Sequence, residues 1–366
     1  MERKYAIDFL KIVGMILIIF HHYQQMVGLY FNEGVNFYGG AFYFGLLVEF
    51  FFLLSGFVLV KYIEPICNGM SFAHFFGKRY FRLIPMTAIA AVVYELLGVL
   101  YNTIENPSYV WILSPVKLDI WGTIQTALGM QVGGIFPEVR YINNPTWYIS
   151  VLLLCYAFFY MIVRICHNKG ISPLYLFLGM IFLGVAIGTH SIQLPLLNAF
   201  TRRGYYAFFF GLILGKMYEK RESTILEALL AIVAGITASM YIMRNGYANV
   251  YAPEYLMTFV VYAAIVVIVN TSLAKRVFRH RIWGELGSIS FNTYVWHLVV
   301  LFAVYVIFSM MNLTVNLKSG YAMLLYTAVS FLVGAISHYF LEKPIAKWLF
   351  ERVDVIKKLE KFFEKV

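Results

Sequence analysis

Charge is scarce in this chain. Asp, Glu, Lys and Arg together account for 13% of its 366 residues, about half the roughly 25% of an ordinary soluble domain. Hydrophobic side chains account for 61%, aromatic ones for 18%, and the mean hydropathy is +0.73. This balance excludes a water-soluble globular fold and defines an all-α, polytopic membrane helix bundle. Cysteine is scarcer still. Cys67, Cys155 and Cys166 are the only three, with no Cys-x-x-Cys spacing, so neither a disulfide framework nor a thiolate metal site is expected. No internal repeat is apparent, which weakens an inverted-repeat transporter reading, and no low-complexity segment or appended soluble domain stands out. The first apolar segment lacks a small-residue cleavage site and reads as a retained span rather than a signal peptide.

Long apolar runs are what the chain has in abundance. Ten are long enough to cross about 30 Å of hydrocarbon. They fall at 6–29, 40–62, 83–102, 145–165, 171–189, 204–219, 224–243, 255–273, 287–311 and 320–341, the sixth being short. The stretch from Asp119 to Gly133 is amphipathic and too polar to span, and is expected to lie on the surface or to re-enter. Ten spans with a cytoplasmic N-terminus put 22 Lys and Arg residues on the inner side and 6 on the outer side, with Lys11 inside the first span. That asymmetry fits the positive-inside rule with both termini cytoplasmic. The net charge of +10 then needs no nucleic acid, because basic loops meet anionic lipid head groups. The expected division is a transmembrane domain over 1–345 and a charged amphipathic cytoplasmic helix over 346–366, with Phe350, Val353, Ile356, Leu359 and Phe362 on its apolar side. The longest loop, 103–144, lies outside and could partly cover a site there.

Against this background the ionisable groups inside the spans matter, since each costs roughly 2.5–3.5 kcal/mol near the bilayer centre on insertion scales. The first span carries Asp8, Lys11, His21 and His22. Lys11 and His22 are three turns apart on one face, about 16 Å along the axis, and Asp8 shares their stripe. Glu49, in the second span, is level with His22 if the two helices are antiparallel neighbours. A histidine oriented by a carboxylate is a general base for a hydroxyl or thiol, which makes His22 and Glu49 the candidate catalytic pair. His22 is preferred to His21 because it shares the stripe with Lys11.

Arg79 and Arg82, spaced i and i+3 before Leu83-Ile84-Pro85, are either positive-inside anchors or, with Lys78 and Lys11, an anion site suited to phosphates. Asn143-Asn144-Pro145-Thr146-Trp147-Tyr148 opens the fourth span, where Trp and Tyr serve as belt residues or as a sugar-binding face. Ser290, Asn292, Thr293 and His297 place polar groups within the ninth span, as interhelical hydrogen bonds or as part of a site. Pro344 is expected to stop the last span, with Glu342 pairing with a basic loop.

Together these segments resemble the bacterial acyltransferase-3 family of integral-membrane acyltransferases, which O-acetylate cell-surface polysaccharides. The carrying motifs run in order along nearly the whole chain: Lys11 and His22 with ten residues between them; Glu49 before Phe50 to Phe57, including Ser55-Gly56-Phe57; Arg79, Arg82 and Pro85; Trp147; Ser290, Phe291, Tyr294 and His297; and Glu342-Lys343-Pro344. Two positions depart from the pattern. Lys11 replaces the usual Arg and loses its fork, and Leu152 and Leu153 stand where many members have a Glu pair. Without a fused esterase-like segment in it, the sequence looks like a standalone member.

The resemblance implies transfer of an acyl group, acetyl from acetyl-CoA above all, to a hydroxyl of a cell-surface or lipid-linked glycan. It implies a multi-pass protein of the bacterial cell membrane. Lys11, Arg79 and Arg82 would bind the donor's phosphates. His22 with Glu49 would be catalytic. Asn144, Trp147 and His297 would contact the substrate or, for Asn144 and His297, the oxyanion. No metal is expected. The partners would be the glycan acceptor and membrane lipids, with a homo-oligomer compatible. A flippase for a lipid-linked sugar, or a structural member of a glycan-assembly complex, are the rival readings, and dependence on acetyl-CoA separates them.

Overall fold

The computed structural model describes residues 5–32, 35–40, 43–104, 118–132, 142–245 and 252–349. The chain order is α1 (Tyr5–Val27), α2 (Phe44–Cys67), α3 (Phe72–Tyr101), the short α4 (Ile120–Ala127), α5 (Asn144–Lys169), α6 (Pro173–Thr189), α7 (Thr201–Met217), α8 (Ile225–Asn245), α9 (Pro253–Val269), α10 (Ile282–Met310) and α11 (Gly320–Leu349). Seven of these, α1, α2, α3, α5, α8, α10 and α11, are long and apolar enough to cross a membrane. The apolar α6 and α9 are shorter, and α7 has 17 residues, about 25 Å at 1.5 Å per residue. Among the described residues the strand content is limited to two isolated bridges. Apart from α4, successive helices alternate in direction, so one face of the bundle holds the start of α1 and the other its end.

The most extensive packing joins α2 to α7, which run parallel. Small residues make this approach possible. A β-carbon on Gly211 would overlap the Leu53 carbonyl oxygen, and one on Gly56 would overlap the Phe208 carbonyl oxygen, so the backbones are in direct contact, as in other small-residue membrane interfaces. By contrast α8 leaves Leu226, Leu229, Leu230, Val233, Ile236 and Met240 exposed, the surface expected of a lipid-facing helix.

Several boundaries differ from the sequence expectation. The third span begins at Phe72, not 83, because Ser71 caps the helix by accepting the His74 N–H at 3.3 Å, and Pro85 lies inside it. Arg79 and Arg82 are therefore helical. Pro344 does not stop α11. The π-helical turn His338–Glu342 precedes it, and residues 343–349 remain helical. A proline crowds the carbonyl four residues back, here Phe340, and the wide turn around that residue removes the clash. The expected cytoplasmic helix over 346–366 lies almost wholly outside the described residues.

The segment Asp119–Val132 folds back along α3, the arrangement a re-entrant segment would have. Asp119 N–H donates to Glu95 Oε1 at 2.6 Å near the far end of α3, whereas Gly129 packs on Ile84 and Leu153 and the Leu128 carbonyl accepts from Tyr80 at 3.3 Å. From Glu95 to Ile84 is about 16 Å along α3. The segment is lodged between α3 and α5, with Ile120, Trp121, Ile124 and Leu128 exposed on one side and Gln125 and Thr126 buried on the other. Its return is fixed by Gln131, whose N–H donates to Ser150 Oγ at 3.1 Å and whose Nε2 donates to the Ile142 carbonyl at 2.9 Å.

Gly211→Val should lower the unfolding free energy of the detergent-solubilised protein by about 3 kcal/mol, the cost of overpacking a closed interface. Gly179→Val, at a glycine with open space around it, should be nearly neutral. Thermal unfolding of the two variants checks the comparison.

Candidate active site

The face where α1 begins holds a cavity of about 380 Å³ bounded by α1, α2, α3, α5 and α10. Five cationic side chains line it, Lys11, Lys61, Lys78, Arg79 and Arg82, and no carboxylate does. The three residues expected to bind donor phosphates are thus brought together, and each is held differently. Lys11 Nζ donates to Asp8 Oδ1 at 3.0 Å. The Arg79 guanidinium lies 3.8 Å from the Phe75 ring centroid and 4.1 Å from that of Tyr62, and its Nη1 donates to the Phe75 carbonyl at 2.5 Å. Arg79 is a packed, internally bonded residue, so the two arginines do not act as matching forks. Arg82 is the open one. Its side chain is 60% exposed, with Nε 3.6 Å from Glu342 Oε1. Glu342 is itself buried and accepts from Asn292 Nδ2 and His338 Nδ1, both at 2.5 Å.

Deeper in, the cavity is walled by Ser55, Tyr148 and Tyr294. Ser55 Oγ and Tyr148 Oη are 3.2 Å apart, and Tyr294 Oη donates to the Pro145 carbonyl. From there a file of rings leads inward. Centroid separations are 5.7 Å from Tyr148 to Tyr294, 5.7 Å from Tyr294 to His297, and 5.2 Å from His297 to His22.

The two histidines of α1 have different surroundings. His21 is buried and its Nδ1 lies 2.9 Å from the Phe37 carbonyl, pinning the segment between α1 and α2. His22 is half-buried, faces His297, and among the described residues hydrogen-bonds to Gln25 alone, Nδ1 to Oε1 at 3.2 Å. His297 is fully buried. Its Nδ1 lies 2.6 Å from the Tyr294 carbonyl, and its Nε2 has no hydrogen-bond partner. A carbonyl oxygen only accepts, so Nδ1 carries the proton and a neutral His297 presents a bare lone pair at Nε2. In this tautomer Nε2 accepts a proton or a hydroxyl hydrogen bond, which suits the sugar-binding side of the sequence expectation better than the oxyanion side.

Glu49 does not orient His22. Its side chain is fully buried against α7, where Arg203 Nε donates to Oε1, Arg203 Nη2 donates to Oε2 at 2.7 Å, and Tyr206 Oη lies 3.0 Å from Oε1. Depth alone placed His22 and Glu49 level; the rotation of α2 is set by its packing on α7. Tyr206 Oη also hydrogen-bonds to Glu254, whose Oε2 accepts from Arg202 Nη2 at 2.8 Å. Trp147 is buried beneath this network, with the Arg203 guanidinium 5.0 Å from its ring centroid. Asn144 is exposed; the buried amide is Asn143, in the left-handed region at φ 47°, whose Nδ2 donates to the Val295 carbonyl at 2.9 Å. Asn143, not Asn144, therefore lies beside the His297 segment.

Sequence reasoning passed over Arg202, Arg203 and Glu254. One signal was available: adjacent arginines heading a span on the side poor in basic residues, against the general asymmetry. Among the described residues no group of His, Cys, Asp and Glu is placed to hold a metal ion.

A multi-helix membrane bundle with paired histidines above a cationic cavity has the parts of an integral-membrane group-transfer enzyme. The model of the acyltransferase-3 family, described as an acyltransferase domain, matches residues 4–340, and the chain belongs to this family. It is a membrane acyltransferase that transfers groups other than aminoacyl groups. No curated protein and no solved structure matches it.

Glu49→Gln, which leaves the Arg203 charge buried without its partner, should destabilise the protein by about 3–5 kcal/mol. The double variant Glu49→Gln, Arg203→Gln should recover a measurable part of that loss. Denaturant unfolding of the wild type, both single variants and the double variant tests the coupling.

Proposed function

We propose that this acyltransferase takes an acetyl group from cytoplasmic acetyl-CoA and transfers it to a hydroxyl of a cell-surface or lipid-linked glycan, in a bacterial cell membrane with both termini cytoplasmic. The observation carrying this reading is the cavity with five cations at its walls and no carboxylate, whose inner end lies one ring from His297. A polyanionic nucleotide carrier on a slender thioester arm fits that combination: phosphates at Arg82, Lys78 and Lys11, with the arm rising toward Ser55, Tyr148 and Tyr294. The excess of basic residues on the α1-start face supports its being cytoplasmic.

The chemistry is a balanced acyl transfer. His22 Nε2 takes the proton of the acceptor hydroxyl as its oxygen forms the bond to the acyl carbon. The carbon–sulfur bond breaks, and the departing thiolate takes that proton from the imidazolium. His297, accepting through Nε2, orients the hydroxyl toward His22. Glu49 supports the far side through Arg203 and takes no proton. Membrane lipids surround the bundle as solvent for α8.

His22→Ala should reduce transfer of labelled acetyl from acetyl-CoA to a glycan acceptor by at least ~10²-fold, the usual worth of a general base, while membrane insertion persists. Wild-type activity in that variant would remove His22 from the role. Arg82→Ala should raise the KM for acetyl-CoA about tenfold, with kcat little changed, as for loss of one charge-assisted phosphate contact. An unchanged KM would make Arg82 a lipid anchor.

A further inference from the structure

On the opposite face lies a second cavity, about 520 Å³, between Gly39, Gly40, Tyr43 and Leu46 on one side and the start of α7 on the other. Its size is that of a small-ligand pocket. Tyr43 connects it to the reacting centre: its ring centroid is 5.2 Å from that of His21, which is 5.1 Å from that of His22. Resting on the acyl-transfer reading above, this is where the acceptor enters.

The charges around this cavity decide what it takes. Arg202, Arg203 and Glu254 line it, with Glu49 directly behind. Each arginine is already matched, Arg202 by Glu254 at 2.8 Å and Arg203 by Glu49. Tyr206 ties the two carboxylates into one network. The four formal charges cancel, whereas the donor cavity is lined by five cations and, among the described residues, only two of them, Lys11 and Arg82, have a carboxylate partner behind the wall. An incoming carboxylate or phosphate would have to displace a fixed glutamate from its arginine, leaving a charge unpaired in a low-dielectric site. A neutral hydroxyl has no such conflict, since it donates to Glu254 and accepts from guanidinium N–H groups while the pairs stay intact. Tyr43 and Phe200 add flat apolar faces beside these polar groups.

We infer that this second cavity is the acceptor subsite and that its internally neutralised Arg202–Glu254 and Arg203–Glu49 pairs select an uncharged sugar over an acidic one. Rejection comes from the glutamates, which hold the positions an acidic group would need.

The test uses binding rather than turnover, so that it stands apart from the acyl-transfer reading, which acetyl-CoA turnover decides on its own. Saturation-transfer NMR on the full chain in lipid nanodiscs, without donor, compares a methyl hexopyranoside with the corresponding methyl hexuronide. The neutral probe is expected to bind at least ~10-fold more tightly, as like-charge juxtaposition implies. Glu254→Gln, which leaves Arg202 with excess positive charge, should move that ratio severalfold toward the hexuronide; Arg202→Gln should move it the other way. Equal or tighter binding of the hexuronide by the wild type overturns the inference, as does binding of neither probe. A ratio unchanged in a Glu254→Gln protein with wild-type thermal unfolding overturns it equally. If that variant does not fold, the wild-type ratio decides.

Discussion

A charge held at membrane depth must be matched there, and the Arg203–Glu49 pair is where this molecule meets that constraint. The carboxylate is wholly buried and the guanidinium nearly so, so neither is tolerable without the other. The pair fixes the rotation of α2 against α7, a contact that the glycines at 56 and 211 bring to backbone distance. Arg203 also lies over Trp147 and donates to the Gly45 carbonyl at 2.9 Å. One interaction thereby holds together the start of α5, the start of α2 and the head of α7.

The two cavities differ in the electrostatics they present. The one at the α1-start face is open and basic, with Arg82 steadied through Glu342 by side chains of α10 and α11. The other is balanced in charge, its two arginines each paired with a glutamate. Between them stand Tyr148, Tyr294, His297, His22, His21 and Tyr43. Hydrogen bonds from Tyr294 to the Pro145 carbonyl and between Ser55 and Tyr148 hold the lower rings of this file.

Much of this was legible in the sequence because hydropathy and charge asymmetry report directly on a bilayer. The helices follow the apolar runs, apart from the early start of α3, and the grouping of Lys11, Arg79 and Arg82 follows from shared depth around one cavity. Azimuth was not legible. Nothing in the sequence says that Glu49 turns toward Arg203, that Arg79 lies against Phe75 and Tyr62, or that Asn143 points inward and Asn144 outward. Those outcomes depend on tertiary packing, and in the last case on a left-handed residue two positions before a proline. The π turn at His338–Glu342 was hidden for a related reason: Pro344 predicts a break from local sterics, whereas the helix absorbs it by widening.

The folded-back α4 carries a consequence for biogenesis. It is wedged between α3 and α5 and anchored by Ser150 and Leu153, residues synthesised after it. It therefore cannot settle when it leaves the ribosome. The flank of α3 that receives it stays unfilled until α5 has been made to form the other wall. Assembly of this chain is thus out of sequential order at one point, with Glu95 in place on α3 before the Asp119 N–H that it accepts.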